Sequence, residues 1–260
     1  MAGFKMKKIL TISRMTILEI IHEKIFFVFV FLSILLILLS ALLGNLSFDE
    51  QQKIMADFGY LAAQISGLGV SLFFGAYVIS REIERQTCLL ILSRPLSRTE
   101  FIFGKFIGIS GINTLLFSVL FVVLGLLLNL NETQLWINHL FIFLLLWIEV
   151  LIVLALAMLF SLVVRPLISL LMAFSIYMLG AWIPDLFYFA KSSKSIVFKF
   201  WVDLTDWIVP NFYKFNKHSH YYLMQGMDFS KTTMALIYGM AWVLILLVLI
   251  RLIFRRKDVV

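Results

Sequence analysis

Few residues of this chain are of a type that does chemistry, and they do not converge on one place. Glu149 stands in L-W-I-E-V-L-I, near the middle of a long apolar run. A carboxyl there costs several kcal/mol if it faces lipid as a charge, so it must face protein or a cavity, or be protonated. The ordinary use of such a group is an interhelical hydrogen bond; a substrate contact or a proton relay is the alternative. His218, His220, Met224 and Met227 are residue types that bind soft metals such as copper(I). Their spacing on an aromatic-rich stretch describes no ligand set, and no metal site is expected. Cys88 is the single cysteine, which leaves no disulfide framework and no thiolate cluster. The sequence contains no H-E-x-x-H, no G-x-S-x-G and no phosphate-cradling G-x-x-x-x-G-K-[ST]. No catalytic residue is expected, and the chain cannot hydrolyse ATP by P-loop chemistry.

The elements that must hold these residues are membrane helices. The chain of 260 residues is 62% hydrophobic and 14% charged, and its mean hydropathy is +1.01. Soluble domains are about 45–50% apolar and about 25% charged, so this composition belongs in a bilayer. Six apolar stretches approach the ~20 residues that cross a hydrocarbon core. They lie near residues 25–44, 58–80, 101–128, 140–164, 167–183 and 234–253. Arg165-Pro166 divides the fourth from the fifth, because proline ends a helix. Ahead of the first, Met6–Lys24 is an imperfect amphipathic helix suited to the headgroup plane, with Ile9, Leu10, Ile17, Ile20 and Ile21 on one arc. Charged and apolar residues are interspersed there, unlike the blocks of a cleavable signal.

The longest charged segment between two apolar ones runs from Ser80 to Lys105. Ile83, Thr87, Leu90 and Ile91 recur at helical spacing, so Glu82–Leu92 reads as a short surface helix. Pro95 ends it, and Ser97-x-x-Glu100 is a capping box that opens the next helix. Small residues mark close helix packing in lipid: Gly67, Ser71 and Gly75 at spacings of four, and Gly104-x-x-x-Gly108 followed by Gly111. These stripes are expected between neighbouring spans, with a subunit boundary as the alternative. The 22 Lys and Arg divide fifteen to seven between the two sides, and the richer side holds both termini and the Ser80–Lys105 bridge. The charge rule therefore places that side in the cytoplasm. Lysines and arginines cluster at span ends and form no basic face for nucleic acid.

Between residues 185 and 231 lies the longest segment that does not span. Ile196, Val197, Phe200, Trp201, Leu204, Trp207 and Ile208 follow an i, i+3, i+4, i+7 pattern opposite Lys199, Asp203 and Asp206. This predicts an interfacial amphipathic helix with two tryptophans at headgroup level, broken at Pro210-Asn211-Phe212.

The Ser80–Lys105 segment resembles the cytoplasmic loop of ABC type-2 transporter permeases. The shared positions are Glu82, Glu84, Thr87, Leu90, Ser93, Pro95, Ser97, Arg98, Glu100, Phe101, Gly104 and Lys105; Gln86 departs from the family's usual glycine. The P-N-F-x-x-F-N string at Pro210 is similar to the same family's external segment. The resemblance implies an all-α membrane protein organised as a single transmembrane domain over residues 1–260. Its parts would be six transmembrane helices, an N-terminal interfacial helix (5–24), a cytoplasmic coupling helix between spans two and three (82–98), and external amphipathic helices between spans five and six (185–231).

It implies the permease subunit of an ATP-driven exporter in the bacterial cytoplasmic membrane, with ATP and magnesium bound by a separate ATPase and no cofactor on this chain. Glu82, Glu84, Arg85, Leu90, Leu92, Arg94, Pro95 and Arg98 would contact that ATPase. Arg85 and Arg94 would fix orientation, and Leu90 and Leu92 would supply apolar contact. Trp201, Trp207, Pro210, Asn211 and Phe212 would form an external gate. The implied partners are two ATPase copies, a second permease subunit in a homodimer, the lipid bilayer and an extracytoplasmic accessory protein. A membrane scaffold without transport of its own is the competing reading, and an integral-membrane enzyme, which would need several polar side chains at one depth, ranks last.

Overall fold

A computed structural model describes residues 2–46, 50–84, 97–130, 132–193, 195–217, 223–224 and 228–256, and among these residues the secondary structure is helical throughout. In chain order the helices are α1 (Ala2–His22), α2 (Lys24–Leu46), α3 (Gln51–Glu84), α4 (Arg98–Leu127), α5 (Thr133–Ser161), α6 (Pro166–Ala181), α7 (Ile183–Ser192), α8 (Ile196–Ile208) and α9 (Phe229–Arg256). A single 3₁₀ turn, Phe212–Phe215, stands between α8 and α9 among the described residues.

The helices are long because little interrupts them. Every backbone group in hydrocarbon must be satisfied within the helix, and the runs contain neither proline nor polar clusters. Apolar runs mark only the part inside hydrocarbon, so α3 begins at Gln51 and α5 at Thr133, several residues ahead of the apolar stretches at 58 and 140. The breaks have identifiable causes. Ser97 accepts a hydrogen bond from the Glu100 N–H at 3.2 Å, and the Glu100 carboxylate accepts from the Ser97 N–H at 3.0 Å, which is the expected capping box. α4 ends at Asn129, whose φ of 49° lies in the left-handed region that asparagine tolerates better than most residues. Pro166 occupies the first turn of α6, where its missing N–H costs no hydrogen bond.

Five helices among the described residues are long and apolar enough to cross a membrane: α2, α3, α4, α5 and α9. α6 and α7 meet that test only as a pair, bent by 54°. The 16 residues of α6 reach about 24 Å, short of a ~30 Å hydrocarbon core. In place of a fifth straight span stands a bent helix pair, turned at Trp182 ahead of Pro184, whereas the apolar pattern alone describes a straight helix to residue 183.

α3 and α5 form the centre. α3 packs against α2, α4, α5 and α6, and α5 also meets α9. The innermost stretch of α5, Ile148–Met158, is buried on every side. α2 lies at the rim, burying a narrow stripe of Ser33, Ile37, Ser40 and Gly44 and exposing Phe27, Phe31 and Leu38. That distribution is the normal arrangement in a bilayer, where apolar side chains face outward at no cost.

Candidate functional site

The predicted contact surface falls mainly on residues that the structure does not describe. Arg85, Leu90, Leu92, Arg94 and Pro95 lie outside the described residues. Glu82 and Glu84 belong to the last turn of α3, because nothing in S-R-E-I-E breaks the helix; they do not open a separate one. Arg98 is the first residue of α4. The structure therefore defines the two supports of this bridge.

Both supports are tied to α1. Arg81, three residues before the end of α3, pairs with Glu23 just beyond α1. Lys105, two turns into α4, pairs with Glu19 of α1 at 3.1 Å. Lys105 is 4% exposed, and its ammonium lies 5.9 Å from the Phe101 ring centroid. Exposed ion pairs contribute about 0–1 kcal/mol, but breaking one around a buried charge costs several-fold more. The pair at Lys105 is the stronger of the two clamps.

Between these pairs the α4 backbone presses onto α1 through the Gly104–Gly108 stripe. A Cβ at Gly104 would lie 2.7 Å from the Ile12 Cβ, and one at Gly108 would lie 2.7 Å from the Thr16 Cβ. This stripe receives the N-terminal helix rather than another span. Its i, i+4 glycines were legible in the sequence, whereas the partner was not. Loss of the cap at the α4 support is expected to be measurable. Ser97→Ala should destabilise the start of α4 by about 1 kcal/mol, read as faster amide exchange at residues 98–101 with the rest of α4 unchanged.

The second stripe does join spans. The Cβ of a residue replacing Gly75 would stand 2.8 Å from the Ala157 Cβ and 3.2 Å from the Leu154 carbonyl oxygen of α5. Gly67 faces Phe117 of α4 and Val150 of α5. Ser71 accepts a hydrogen bond from the Asn113 side-chain amide at 2.8 Å.

Above that stripe α3 carries two further polar contacts. The Gln64 amide donates to Glu149 Oε1 at 3.0 Å and to the Tyr177 hydroxyl at 3.1 Å. Glu149 is 2% exposed, and its Oε2 has no hydrogen-bond partner. The carboxyl therefore faces protein and is held by an interhelical hydrogen bond. One turn outward, the Tyr60 hydroxyl lies 2.8 Å from His139 Nδ1, and His139 Nε2 lies 3.0 Å from the Phe121 carbonyl. A carbonyl only accepts, so Nε2 carries the hydrogen and Nδ1 accepts from Tyr60. Gln64, Tyr177, Tyr60 and His139 were not singled out by sequence; the i, i+4 spacing of Tyr60 and Gln64 on an otherwise apolar helix was the available signal.

The segment expected to be external divides in two. Pro210 and Phe212 are buried, and the Asn211 N–H donates to the Tyr238 hydroxyl of α9 at 2.9 Å. The Asn211 side-chain amide donates to Asp206 at 3.0 Å. Phe212 lies 5.0 Å from the Tyr177 ring, and Phe215 is fully buried against Gly239. This turn is seated between α6 and α9, its Phe212 against Tyr177 of the Gln64–Glu149–Tyr177 contact. Trp201 and Trp207 do not join it: they are 59% and 84% exposed on the apolar face of α8, which buries Val202 instead. The five residues expected to act as one gate thus belong to two surfaces.

Nearby, Lys217 is held below the ordinary lysine range, chiefly by burial. The carboxyl of Asp228 is held below its ordinary range, chiefly by its hydrogen bond with Lys231. Met224 is 41% exposed, and His218, His220 and Met227 lie outside the described residues.

No curated protein matches the chain at a significant level. The profile of one family, described as ABC-2 family transporter protein, matches residues 10–259, nearly the whole chain. That match covers the bridge, both of its supports, the bent α6–α7 pair and the Pro210–Phe215 turn, and on it the chain belongs to the ABC-2 transporter permease family.

Proposed function

We propose that this multi-pass permease is the membrane half of an ATP-driven exporter, coupled to a separate cytoplasmic ATPase through residues 82–98. The reading is carried by the charged Ser80–Lys105 bridge, whose two helical supports are both clamped to α1 by Arg81–Glu23 and Lys105–Glu19. A force applied to a loose loop is dissipated in the loop; a force applied between two helix ends tied to a third element moves helices.

ATP and magnesium are held by the partner, and two copies of that partner serve two permease chains. ATP binding draws the ATPases together and stabilises one of two packings of the permease, because a ligand shifts an equilibrium only by its differential affinity for the two states. Displacement enters α3 and α4, and the seated turn at Pro210–Phe215 is the part that yields on the far side. The termini and the bridge face the cytoplasm, as the distribution of Lys and Arg supports. The membrane is the bacterial cytoplasmic membrane.

Arg85 and Arg94 orient the bridge on the ATPase, and Leu90 and Leu92 supply its apolar contact. Purification of the permease from its native host should co-elute a P-loop ATPase. The double charge reversal Arg85→Glu with Arg94→Glu should remove most of it, because reversed charges meet like charges where the complementary ones lay, while leaving the permease folded. Purification with no ATPase in the wild-type preparation would favour a scaffold instead. Labelling of a cysteine placed in the bridge by an impermeant reagent outside intact cells would overturn the orientation.

A further inference from the structure

A groove of about 330 Å³ runs between α4 and α5 on the half of both helices next to the turn that joins them. Phe117, Ser118 and Phe121 of α4 form one wall, and Phe143, Leu144 and Trp147 of α5 the other. We infer that this groove is a binding site for one acyl chain of a membrane phospholipid. Nothing in the proposed coupling mechanism requires it.

Three observations select that occupant. First, the groove demands no hydrogen bonds. Thr114 donates to the Ser110 carbonyl at 2.8 Å and Ser118 to the Thr114 carbonyl at 2.7 Å, while the Trp147 indole N–H donates to the Thr114 hydroxyl at 3.1 Å. Each of these polar groups already has a partner on one of the two walls, so an extended peptide or a sugar would leave its own polar groups unpaired at a cost of about 1–3 kcal/mol each.

Second, the shape suits a single chain. The α4 wall, Thr114 to Val122, is about 12 Å long and parallel to the helix axis, which is the direction acyl chains take in a bilayer. The volume sits at the lower end of ligand sites, ~300–1,000 Å³.

Third, the groove is continuous with lipid-facing surface. Leu115 and Val119 flank it, each more than half exposed on a membrane-spanning helix.

The experiment is photolabelling in vesicles of phosphatidylethanolamine and phosphatidylglycerol that contain a phospholipid with a diazirine on its acyl chain. Adducts are mapped by peptide mass spectrometry. Adducts on the 114–122 and 140–147 walls are expected to exceed those on the exposed Phe27, Phe31 and Leu38 of α2 by about tenfold. That factor corresponds to ~1.4 kcal/mol.

Ser118→Phe, which fills the groove, should abolish the excess, while Leu115→Phe on the flank should leave it intact. Should Ser118→Phe fail to fold, Val122→Trp closes the other end and should give the same loss. Mild detergent extraction should retain one phospholipid per wild-type chain and none per filled variant. Adduct densities equal to those on α2 would reduce the groove to ordinary lipid contact and overturn the proposal. So would a disulfide between copies of a Ser118→Cys variant, or retention of an apolar molecule that is not a lipid.

Discussion

Gly180→Val is expected to lower the thermal unfolding midpoint of the purified protein by roughly 2–12 °C. At Gly180 the α6 backbone meets the Pro210 carbonyl oxygen and the Phe212 ring directly, and a Cβ would fall on the first and 2.6 Å from Phe212 Cδ2. A flexible side chain could swing aside, but a backbone oxygen in a seated turn cannot. Overpacking of this kind costs about 1–3 kcal/mol, and each kcal/mol moves the midpoint of a chain this size by about 2–4 °C. The comparison is Gly111→Val, where the added Cβ meets only Ile17 Cδ1 at 3.4 Å, an ordinary contact. Its midpoint should stay within about 2 °C, the size of a neutral surface change. Equal midpoints for the two variants would mean that the Pro210–Phe215 turn does not rest on α6.

The second large effect concerns the contact beneath that turn. Gln64→Leu should destabilise by about 1–3 kcal/mol, because it removes the amide that donates to a fully enclosed carboxyl. The loss is not the worth of one hydrogen bond, since interhelical bonds in lipid average only about 0.6 kcal/mol. It is the cost of the Glu149 carboxyl left behind. The double variant Gln64→Leu with Glu149→Leu should therefore recover most of the stability, a coupling of about 1–2 kcal/mol between the two sites. Thermal unfolding of the three variants measures it. A double variant as unstable as the sum of the singles would show that the two side chains do not act together. The Tyr177 hydroxyl, 3.1 Å from the same amide, links this contact to Phe212. A loosened contact should therefore also lower the midpoint difference between Gly180→Val and its parent.

The two effects share a physical origin. In lipid, burial of apolar surface gives no preference for one packing over another, so the bundle is specified by close backbone approach and by pairing of its few polar groups. Gly67, Gly75 and Gly104 do the first; Gln64–Glu149 and Asn113–Ser71 do the second. The permease family to which the chain belongs moves cargo, and elements that change packing are those held by few such contacts.

The sequence by itself determined the class, the helices and the family. Apolar runs of membrane length admit no other fold in hydrocarbon, the Ser97–Glu100 box and Pro166 act within one turn of themselves, and the Glu82–Lys105 motif is local. Only the tertiary structure decided which surfaces meet. Gly104 and Gly108 could have faced any helix until α1 was seen lying on them. Lys105 reads as one more cytoplasmic charge until Glu19 is placed 3.1 Å away. Trp207 and Phe212 are five residues apart in one aromatic segment, yet one is exposed and the other buried, because α8 turns its apolar face outward while the chain after Pro210 turns in. Periodicity specifies that a face is apolar, but in a bilayer an apolar face is equally content against lipid or against protein, and only the assembled neighbours choose between them.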